Sequence, residues 1–524
     1  MSYNGCSVRP EMQEISSNNK RIAKNTVSLY IRMLITMLVG LYTSRVVLQT
    51  LGVEDFGIYN VVGGIVTMCV FISNTLSSAS QRFFAFEIGR NDNVQLRKVF
   101  STTLFIYVAF VLVILVLAET VGLWFVENKL NIPPARETAA RFVYHFSVLS
   151  FLASIIRVPY NALIIARERM GFYAWISIAE AALKLLIVYL LVWFSFDKLK
   201  LYAFLMFFVV FLITLIYVVY CRIKFYECRM IAAKDKCLYI SLFQFAGWNL
   251  FGSLANVGLD QGLNILLNIF FGPVVNAARG IAFQVKSLVT SFAGNVQIAA
   301  TPQIIKYYAA GDLEKMKILL FKSSRISYYL LFLVALPILL EMKYLLSLWL
   351  TEVPEYTVLF ARLIVINILV DCMSGTIIPA VQATGKIKVY QIAVGTTLLL
   401  AVPLSYLFLK LGFPPEITMI IAIFLSGICL FIRLIIIRNL FDIKIAEYTK
   451  GVIFYNIAIS GVSCILPLVL CYFGPQTFAN LILVSVISLI STVSTIYFIG
   501  LKREERRMLT KIITEKIKIS AIWN

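Results

Sequence analysis

Long apolar blocks recur along the whole chain, separated by short polar segments. Each block is about 20 or more residues long, which at 1.5 Å per residue is enough to cross a hydrocarbon core of about 30 Å. The blocks lack the alternation of period two that is typical of membrane-barrel strands. The pattern predicts an all-α integral membrane protein with about fourteen transmembrane helices, at 26–50, 56–80, 101–125, 141–165, 172–195, 201–221, 240–271, 273–301, 323–346, 357–383, 389–410, 416–437, 451–473 and 477–500.

The first six predicted helices resemble the next six. Three motifs that follow a predicted helix recur at nearly constant spacing. They pair Gly52 with Gly272, Phe100 with Phe321 and Tyr173 with Tyr390, at offsets of 220, 221 and 217 residues. Because six is an even number, both copies enter the membrane in the same orientation. We therefore predict two six-helix lobes in a pseudo-two-fold repeat, followed by two C-terminal helices.

This organisation divides the chain into six predicted parts. They are a cytoplasmic N-terminal segment at 1–25, an N-lobe at 26–221, a cytoplasmic linker at 222–239, a C-lobe at 240–437, two further helices within 438–500 and a basic amphipathic cytoplasmic tail at 501–524. The polar start and the length of the first apolar block predict a true first span, with no cleavable signal peptide. Segments 81–100 and 306–321 mix basic and apolar residues, which predicts helices lying along the lipid surface.

The distribution of Lys and Arg residues predicts the orientation of the chain in the membrane. Only 14% of the residues are charged, against about 25% in soluble domains. With the N-terminus inside, the predicted cytoplasmic segments hold 32 Lys and Arg residues, counting Arg325 at the start of the ninth span, and the opposite side holds 6. This bias predicts that both termini lie in the cytoplasm. It also accounts for most of the net charge of +20, so nucleic acid is not a predicted partner.

Once the 38 loop cations are subtracted, with Arg325, Lys343 and Lys410 at span ends counted among them, nine cations remain inside the predicted spans, accompanied by the acids Glu119, Glu180, Asp260 and Asp371. A charge at bilayer depth costs roughly 2.5–3.5 kcal/mol, so such residues are expected to face a partner or a wet cavity. Arg141, Arg362 and Arg433 stand near span ends, where their side chains are expected to reach the interface. The cations predicted to line a central cavity and bind an anion are Arg32, Arg45, Arg157, Arg279 and Lys286.

Polar residues recur on the same helix faces as these cations. Asn276, Arg279 and Lys286 share one face of the eighth predicted span, and Asn256, Asp260 and Asn264 share a face of the seventh. Asn367 and Asp371 continue the pattern in the tenth. Such faces suit a polar cavity, although helix-to-helix hydrogen bonding without a ligand would produce the same pattern. The acids Asp260, Asp371 and Glu180 are predicted to bind a coupling cation, H+ or Na+, or to balance the cations; Glu180 also has Lys184 one turn away.

The chain resembles the exporter superfamily that contains multidrug and toxic compound extruders, lipid II flippases and oligosaccharide-lipid flippases, and within it the O-antigen and capsule repeat-unit flippases. The likeness covers essentially the whole length. It rests on Asn25–Ser44 leading into LGVEDFGIYNVVGGI at 51–65, RFFAFEIGR at 82–90, AAGD at 309–312 and QATGKIKVYQ at 382–391.

The resemblance implies a V-shaped, two-lobe transporter that carries an undecaprenyl-pyrophosphate-linked oligosaccharide across the inner membrane for surface polysaccharide biosynthesis. The pyrophosphate would cross in the cationic cavity while the polyprenyl tail stays in the lipid bilayer. A polysaccharide polymerase and other assembly proteins are the partners it suggests. No cofactor is predicted, because the chain contains no GxxxxGK[ST] motif, no CxxC motif and a single His.

Three other functions remain open at this point. Lipid II is an alternative cargo, since it carries the same pyrophosphate. A cation-coupled multidrug extruder is a second alternative, although members of that branch generally place an acid in the first span and here none occurs between Glu14 and Glu54. A polymerase or ligase is least favoured, because the longest predicted outside loop, Val126 to Ala140, is short. We therefore predict a transporter and not an enzyme.

Overall fold

We describe a computed structural model of the chain over residues 8–67, 70–129, 133–193, 197–231, 235–350, 353–501 and 505–506. Its regular elements in these ranges are all helical. The helices are α1 (Val8–Thr67), α2 (Val70–Gly89), α3 (Asn93–Leu117), α4 (Leu123–Lys129), α5 (Glu137–Ala166), α6 (Met170–Trp193), α7 (Lys198–Lys224), α8 (Lys236–Phe271), α9 (Pro273–Ala309), α10 (Leu313–Leu340), α11 (Met342–Trp349), α12 (Thr357–Cys372), α13 (Ile377–Thr384), α14 (Lys388–Leu399), α15 (Ala401–Lys410), α16 (Ile417–Phe441), α17 (Ile445–Tyr448), α18 (Phe454–Phe473) and α19 (Phe478–Thr495). Most of the predicted tail at 501–524 lies outside the described residues.

Fewer helices pass a strict membrane-span criterion than the fourteen predicted. Within the described ranges, nine are long and apolar enough, or ten when α12 and α13, which are bent by 43° at their junction, count as one span. The other four predicted spans lie on α1, α2, α8 and α9, which are helical. On α8 and α9, polar and charged residues such as Asp260, Arg279 and Lys286 lower the mean hydropathy, and these two helices carry the candidate site.

The chain forms two compact units. Unit 1 comprises Met1–Ser253, Ile298–Met316 and Gln382–Lys388, and unit 2 comprises Leu254–Gln297, Lys317–Val381 and Val389–Asn524. The two units do not coincide with the two sequence repeats, because short pieces of the second repeat belong to unit 1. These pieces are the start of α8, the ends of α9 and α13 and the starts of α10 and α14.

Unit 1 is built around α5. In the most apolar stretch of α5, 61% of the residues are buried, against 11% for α3. Val143, Tyr144 and Val148 of α5 form a core with Ile58 and Val62 of α1. By contrast, α3 exposes large apolar side chains, as expected of a helix that faces lipid.

Unit 2 has its core between α9, α10 and α12, where Phe360 and Leu331 are completely buried. The helices after the second repeat pack on α10: Tyr328 and Ser460 hydroxyls lie 2.7 Å apart, and Tyr329 donates a hydrogen bond to the Gly500 carbonyl at 3.2 Å. In the repeat, α10 corresponds to α3. The additional helices α18 and α19 therefore cover a helix whose counterpart in the first repeat remains exposed.

Turns at equivalent repeat positions share an unusual backbone conformation. Positive φ angles occur at Gly52 and Gly272 (80° and 77°), at Asn91 and Gly311 (55° and 79°), and at Glu168 and Gly385 (58° and 76°). In the second pair the following amide closes the same helix-ending hydrogen bond, from Asp92 to Glu87 and from Asp312 to Tyr307. These pairs are 220, 220 and 217 residues apart, so the backbone carries the same internal repeat as the sequence.

Candidate functional site

A charged cluster joins α8 to α9 inside unit 2. Asp260 of α8 has a carboxylate oxygen 3.9 Å from Arg279 Nη2 and 3.7 Å from Lys286 Nζ on α9. Phe283 lies between the two cations, which stand 4.1 Å and 4.6 Å from the centre of its ring. The steps of four and three residues put these three side chains on one helix face. The two cations thus share Asp260, one of the acids that the sequence predicted either to balance the cations or to bind a coupling ion.

A second cluster surrounds the break between α12 and α13. Arg433 of α16 donates to Ser374 Oγ at 2.7 Å and to the Tyr390 hydroxyl at 3.3 Å, and its Nη1 lies 3.7 Å from Asp371. Only 8% of the Arg433 side chain is exposed. The prediction that Arg433 reaches out to the interface is therefore wrong: the opened helix junction supplies polar partners that hold it inside. Lys286 is also within electrostatic range of Asp371, which connects the two clusters of unit 2.

The other two cations near span ends have different partners. Arg362 donates to the carbonyls of Leu339 and Leu340, at 3.0 and 3.2 Å, where α10 ends. Arg141 pairs with Glu127 at 3.2 Å, and 55% of its side chain is exposed. Arg141 therefore behaves as its position predicts, whereas Arg362 closes a helix end.

Unit 1 contains a third intramembrane cluster. Glu180 accepts from Lys184 at 2.8 Å and from Arg157 at 3.1 Å, using one oxygen for each. Arg157 also stands 5.7 Å from the centre of the Tyr217 ring. Arg32 stacks 4.7 Å from the Tyr173 ring, and its Nε is buried without a hydrogen-bond partner among the described residues. Arg32 and Arg157 both lie within electrostatic range of Tyr217, so the cluster has three cations and one acid.

The remaining predicted site residues occupy varied positions. Arg45 lies in α1, and its side chain is outside the described part of the structure. Asn256 is exposed, whereas Asn264, Asn276 and Asn367 are half-buried. The side-chain carbonyls of Asn276 and Asn367 are buried and accept no hydrogen bond from any described group. Two of the four Asn residues therefore keep unused hydrogen-bonding capacity.

A junction at one end of unit 1 was not predicted from the sequence. Glu168, in the turn between α5 and α6, accepts from Gln303 Nε2 at 2.7 Å and pairs with Arg21 at 2.8 Å and with Lys306. Its carboxylate side chain is only 1% exposed. Burial lowers the pKa of Lys306, and the Glu168 carboxylate offsets part of that shift. The contact ties the first repeat to α9 of the second.

At the equivalent repeat positions, a second contact joins α2 of the first repeat to α13 of the second. Arg82 of α2 donates to the carbonyls of Gln382 and Ala383, at 3.1 and 3.0 Å, in the last turn of α13. Gly89, at the end of α2, approaches α9 so closely that a Cβ there would lie 2.7 Å from the Lys306 backbone. Segments 81–100 and 306–321 are therefore packed helix ends, and the prediction that they lie along the lipid surface is wrong.

Loop residues predicted on the opposite side also meet one another. Arg136 pairs with Asp55 at 2.8 Å and with Asp197 at 3.2 Å. All three were predicted outside, whereas Arg21, Glu168 and Lys306 were all predicted inside. The structure thus groups these loop residues by the side to which the charge count assigned them.

Comparison with known proteins finds sequence similarity over part of the chain. Residues 250–407, which include α9, α12 and most of α8, match the MatE family. The chain is 24% identical over 290 residues to the uncharacterized membrane protein EpsK of Bacillus subtilis strain 168. That match covers 54% of this chain and 56% of EpsK, so it spans little more than half the length of that relative.

Solved structures are similar over most of the chain. An outward-facing multidrug resistance MATE family transporter of the MOP superfamily superposes with a TM-score of 0.69, at 12% identity, over 81% of this chain and 96% of that one. A MOP superfamily transporter from Pyrococcus furiosus gives 0.68 at 12% identity, over 82% and 97%. A MATE protein in complex with MaD3S gives 0.68 at 13% identity, over 83% and 97%. The fold is that of the MATE transporters.

The MATE fold and the many apolar helices make this a multi-pass membrane protein. The chain is thus similar in sequence to the MatE family over residues 250–407, and in fold to MOP superfamily transporters over most of its length. The MatE match covers both charged clusters of unit 2 except Arg433. A polar stripe on α8 and α9 carried the signal for one cluster, while Arg433 could have been found only from the broken helix beside it.

Proposed function

We propose that the protein is a flippase for an anionic lipid-linked glycan. The cargo would be an undecaprenyl-pyrophosphate-linked oligosaccharide repeat unit, moved across the bacterial inner membrane for O-antigen, capsule or exopolysaccharide assembly. The observation that carries the proposal is the charge of the intramembrane clusters. Unit 2 sets Arg279, Lys286 and Arg433 against Asp260 and Asp371, an excess of one positive charge.

The cluster of unit 1 has the same sign. Arg32, Arg157 and Lys184 accompany Glu180 alone, which leaves two positive charges. Buried charges are stable only with compensation, so clusters that retain positive charge favour an anionic guest. Arg offers a planar pair of donors to phosphate and Lys a compact charge. A pyrophosphate bridging such groups would replace the missing counter-charge during transport.

The geometry of Asp260 supports a role in holding the empty site. Its distances to Arg279 and Lys286, 3.9 and 3.7 Å, exceed those of a tight hydrogen bond. An arriving phosphate oxygen would compete with such loosely held contacts at low cost. We infer that Asp260 balances the cations between transport cycles and gives way to the cargo.

A second candidate function is cation-coupled extrusion of drugs. Its support is the exposure of the two acids: 36% of the Asp260 side chain and 45% of the Asp371 side chain are accessible. A carboxylate that is accessible inside a membrane protein can exchange a proton or a sodium ion. For the MOP superfamily transporter of Pyrococcus furiosus, the reverse polarity of the binding pocket suggests a different function. Pocket charge is therefore the property to test in this chain.

The decisive experiment removes the two α9 cations of the unit 2 cluster, Arg279 and Lys286. The Arg279→Ala/Lys286→Ala variant is compared with Lys343→Ala/Lys410→Ala, which removes two cations outside the clusters. Full-length protein is reconstituted in liposomes, and flipping of a fluorescent short-chain polyprenyl-pyrophosphate saccharide is measured beside ethidium transport. We expect the first variant to lose at least about 90% of saccharide flipping and the control to keep it. Ethidium transport without saccharide flipping in the unmodified protein would establish the extruder instead.

A further inference from the structure

A cavity of about 700 Å³ opens at the same end of unit 1 as the Glu168 contacts. It lies between the turn after α5, the end of α7 and the first residue of α3. Its charged lining comprises Arg21, Arg167, Arg169, Lys224, Glu168 and Glu227. Four cations face two acids, so the cavity carries two excess positive charges.

The two acids are already engaged. Glu168 pairs with Arg21 at 2.8 Å, and Glu227 pairs with Arg167. Both acids are buried, with 1% and 6% of their side chains exposed. Arg169 and Lys224 are exposed and have no ion pair in the described part of the chain. The unused positive charge of the cavity is therefore held by these two side chains.

The electrostatics of the turn disfavour an unoccupied state. Burial lowers the pKa of Arg167, and the neighbouring Arg169 cation lowers it further. The Nε of Arg167 is buried without a hydrogen-bond partner among the described groups. An anion in the cavity would relieve the repulsion between these arginines and would be reached by donors from two helices and a turn.

We propose that this cavity binds a phosphate group. Its volume exceeds what one phosphate needs, and its edge is aromatic as well as basic. Arg97 and Arg229 stand over the Tyr226 ring at 5.0 and 5.1 Å. Basic pockets beside the cytoplasmic ends of membrane helices bind anionic lipid headgroups, and a free phosphate ion presents the same oxygens. This site is separate from the intramembrane clusters and does not depend on the flippase proposal.

Occupation of the cavity also has a structural consequence. Arg21 and Glu168 line it, and Glu168 is the acceptor that holds Gln303 and Lys306. A phosphate that draws Arg21 away from Glu168 leaves that carboxylate to the α9 residues alone. Binding is therefore expected to change the strength of the contact between the repeats.

The test uses the full-length protein in detergent. Native mass spectrometry with phosphatidylglycerol and phosphatidylcholine measures lipid binding, and thermal unfolding in increasing inorganic phosphate, with chloride at matched ionic strength, measures binding of the free ion. The variant Arg169→Gln/Lys224→Gln removes the two unpaired cations. The matched control Arg90→Gln/Lys98→Gln removes the same charge from helix ends that do not line the cavity.

We expect the cavity variant to weaken phosphate-group binding about 25-fold, about fivefold per cation, and the control to change it less than twofold. Preference for phosphatidylglycerol with no response to inorganic phosphate identifies a lipid site, and the converse identifies a site for the free ion. Equal loss in both variants, or binding of neither ligand by the unmodified protein, overturns the proposal. Unfolding temperatures of both variants without ligand identify any general folding defect. If the cavity variant has such a defect, it is replaced by Arg169→Lys/Lys224→Arg, which keeps both positive charges and must bind phosphate groups as the unmodified protein does.

Discussion

Glu168 accepts a hydrogen bond from Gln303 at 2.7 Å across 135 residues of sequence. The pair joins the turn after α5, in the first repeat, to the end of α9, in the second. Glu168 holds Lys306 with its other oxygen, in a position where its own backbone has a φ of 58°. A non-glycine residue in this conformation costs of order 1–2 kcal/mol, so the carboxylate contacts must outweigh that strain.

Replacing Glu168 with Gln should weaken the junction. The amide keeps the shape but leaves Lys306 buried without its counter-charge, at a cost of about 3–5 kcal/mol for a broken buried pair. We expect a lower unfolding temperature and faster maleimide labelling of a reporter, Ala383→Cys, in a cysteine-free background. Glu314→Gln, at an exposed position nearby, should change neither measurement. A lower unfolding temperature with unchanged labelling would limit Glu168 to a structural role.

Replacing Gly385 with Ala should destabilise the matching contact. Its φ is 76°, and a Cβ there would stand 2.9 Å from Arg82 Nη2. Gly412 is the control, since its φ is 87° but open space surrounds it. Gly412→Ala carries only the backbone strain, about 1–2 kcal/mol. Chemical denaturation should show a larger loss for Gly385→Ala, and equal losses would mean that Arg82 moves aside freely.

The Asp260→Asn variant separates the two candidate functions. If Asp260 only balances Arg279 and Lys286, its neutralisation leaves both cations available, and we expect a lower KM for the pyrophosphate-linked saccharide in proteoliposomes. If Asp260 holds a coupling cation, transport should stop responding to an imposed proton or sodium gradient. Glu341→Gln, which removes an acid of unit 2 outside the clusters, controls for the lost charge.

Arg433 should be required for the stability of unit 2. It supplies donors to Ser374 and Tyr390 at the break between α12 and α13. Arg433→Gln removes those contacts and leaves Asp371 without its nearest cation, so we expect a loss of about 2–4 kcal/mol in the free energy of unfolding. Arg438→Gln, one turn further along α16 and exposed, should cost less than about 0.5 kcal/mol. Similar losses in both would contradict a buried role for Arg433.

The sequence could predict helices, the internal repeat and the polar faces of α8 and α9, because each has a local periodicity. It could not predict partners brought together by folding. Asp260 and Arg279 stand on different helices, and no spacing rule relates them. Arg433 shows the limit most clearly. Its position near the end of an apolar block predicted an exposed cation. The polar groups that surround it come together only because the helix is broken between α12 and α13, which the sequence does not reveal.

The prediction that segments 81–100 and 306–321 lie along the lipid surface failed for a different reason. Arg82 and Lys306 stand in sequences that mix charged and apolar residues, a pattern shared by helices on a membrane surface and by helix ends packed against one another. Composition does not distinguish the two situations. The positive φ angles at Asn91 and Glu168 were equally hidden, because neither residue is a glycine, unlike their repeat partners Gly311 and Gly385.

Gly89 and Ala309 are 220 residues apart, the repeat offset, and they meet: a Cβ on Gly89 would lie 2.8 Å from that of Ala309. Around them, α2 contacts the end of α13, and α9 contacts the turn after α5. Contacts that reciprocate in this way belong to the interface of a symmetric homodimer. An ancestral six-helix chain could therefore have built this junction by pairing with a second copy of itself, and joining the copies in one gene freed the two halves to diverge, leaving a glutamate in one turn and a glycine in the other.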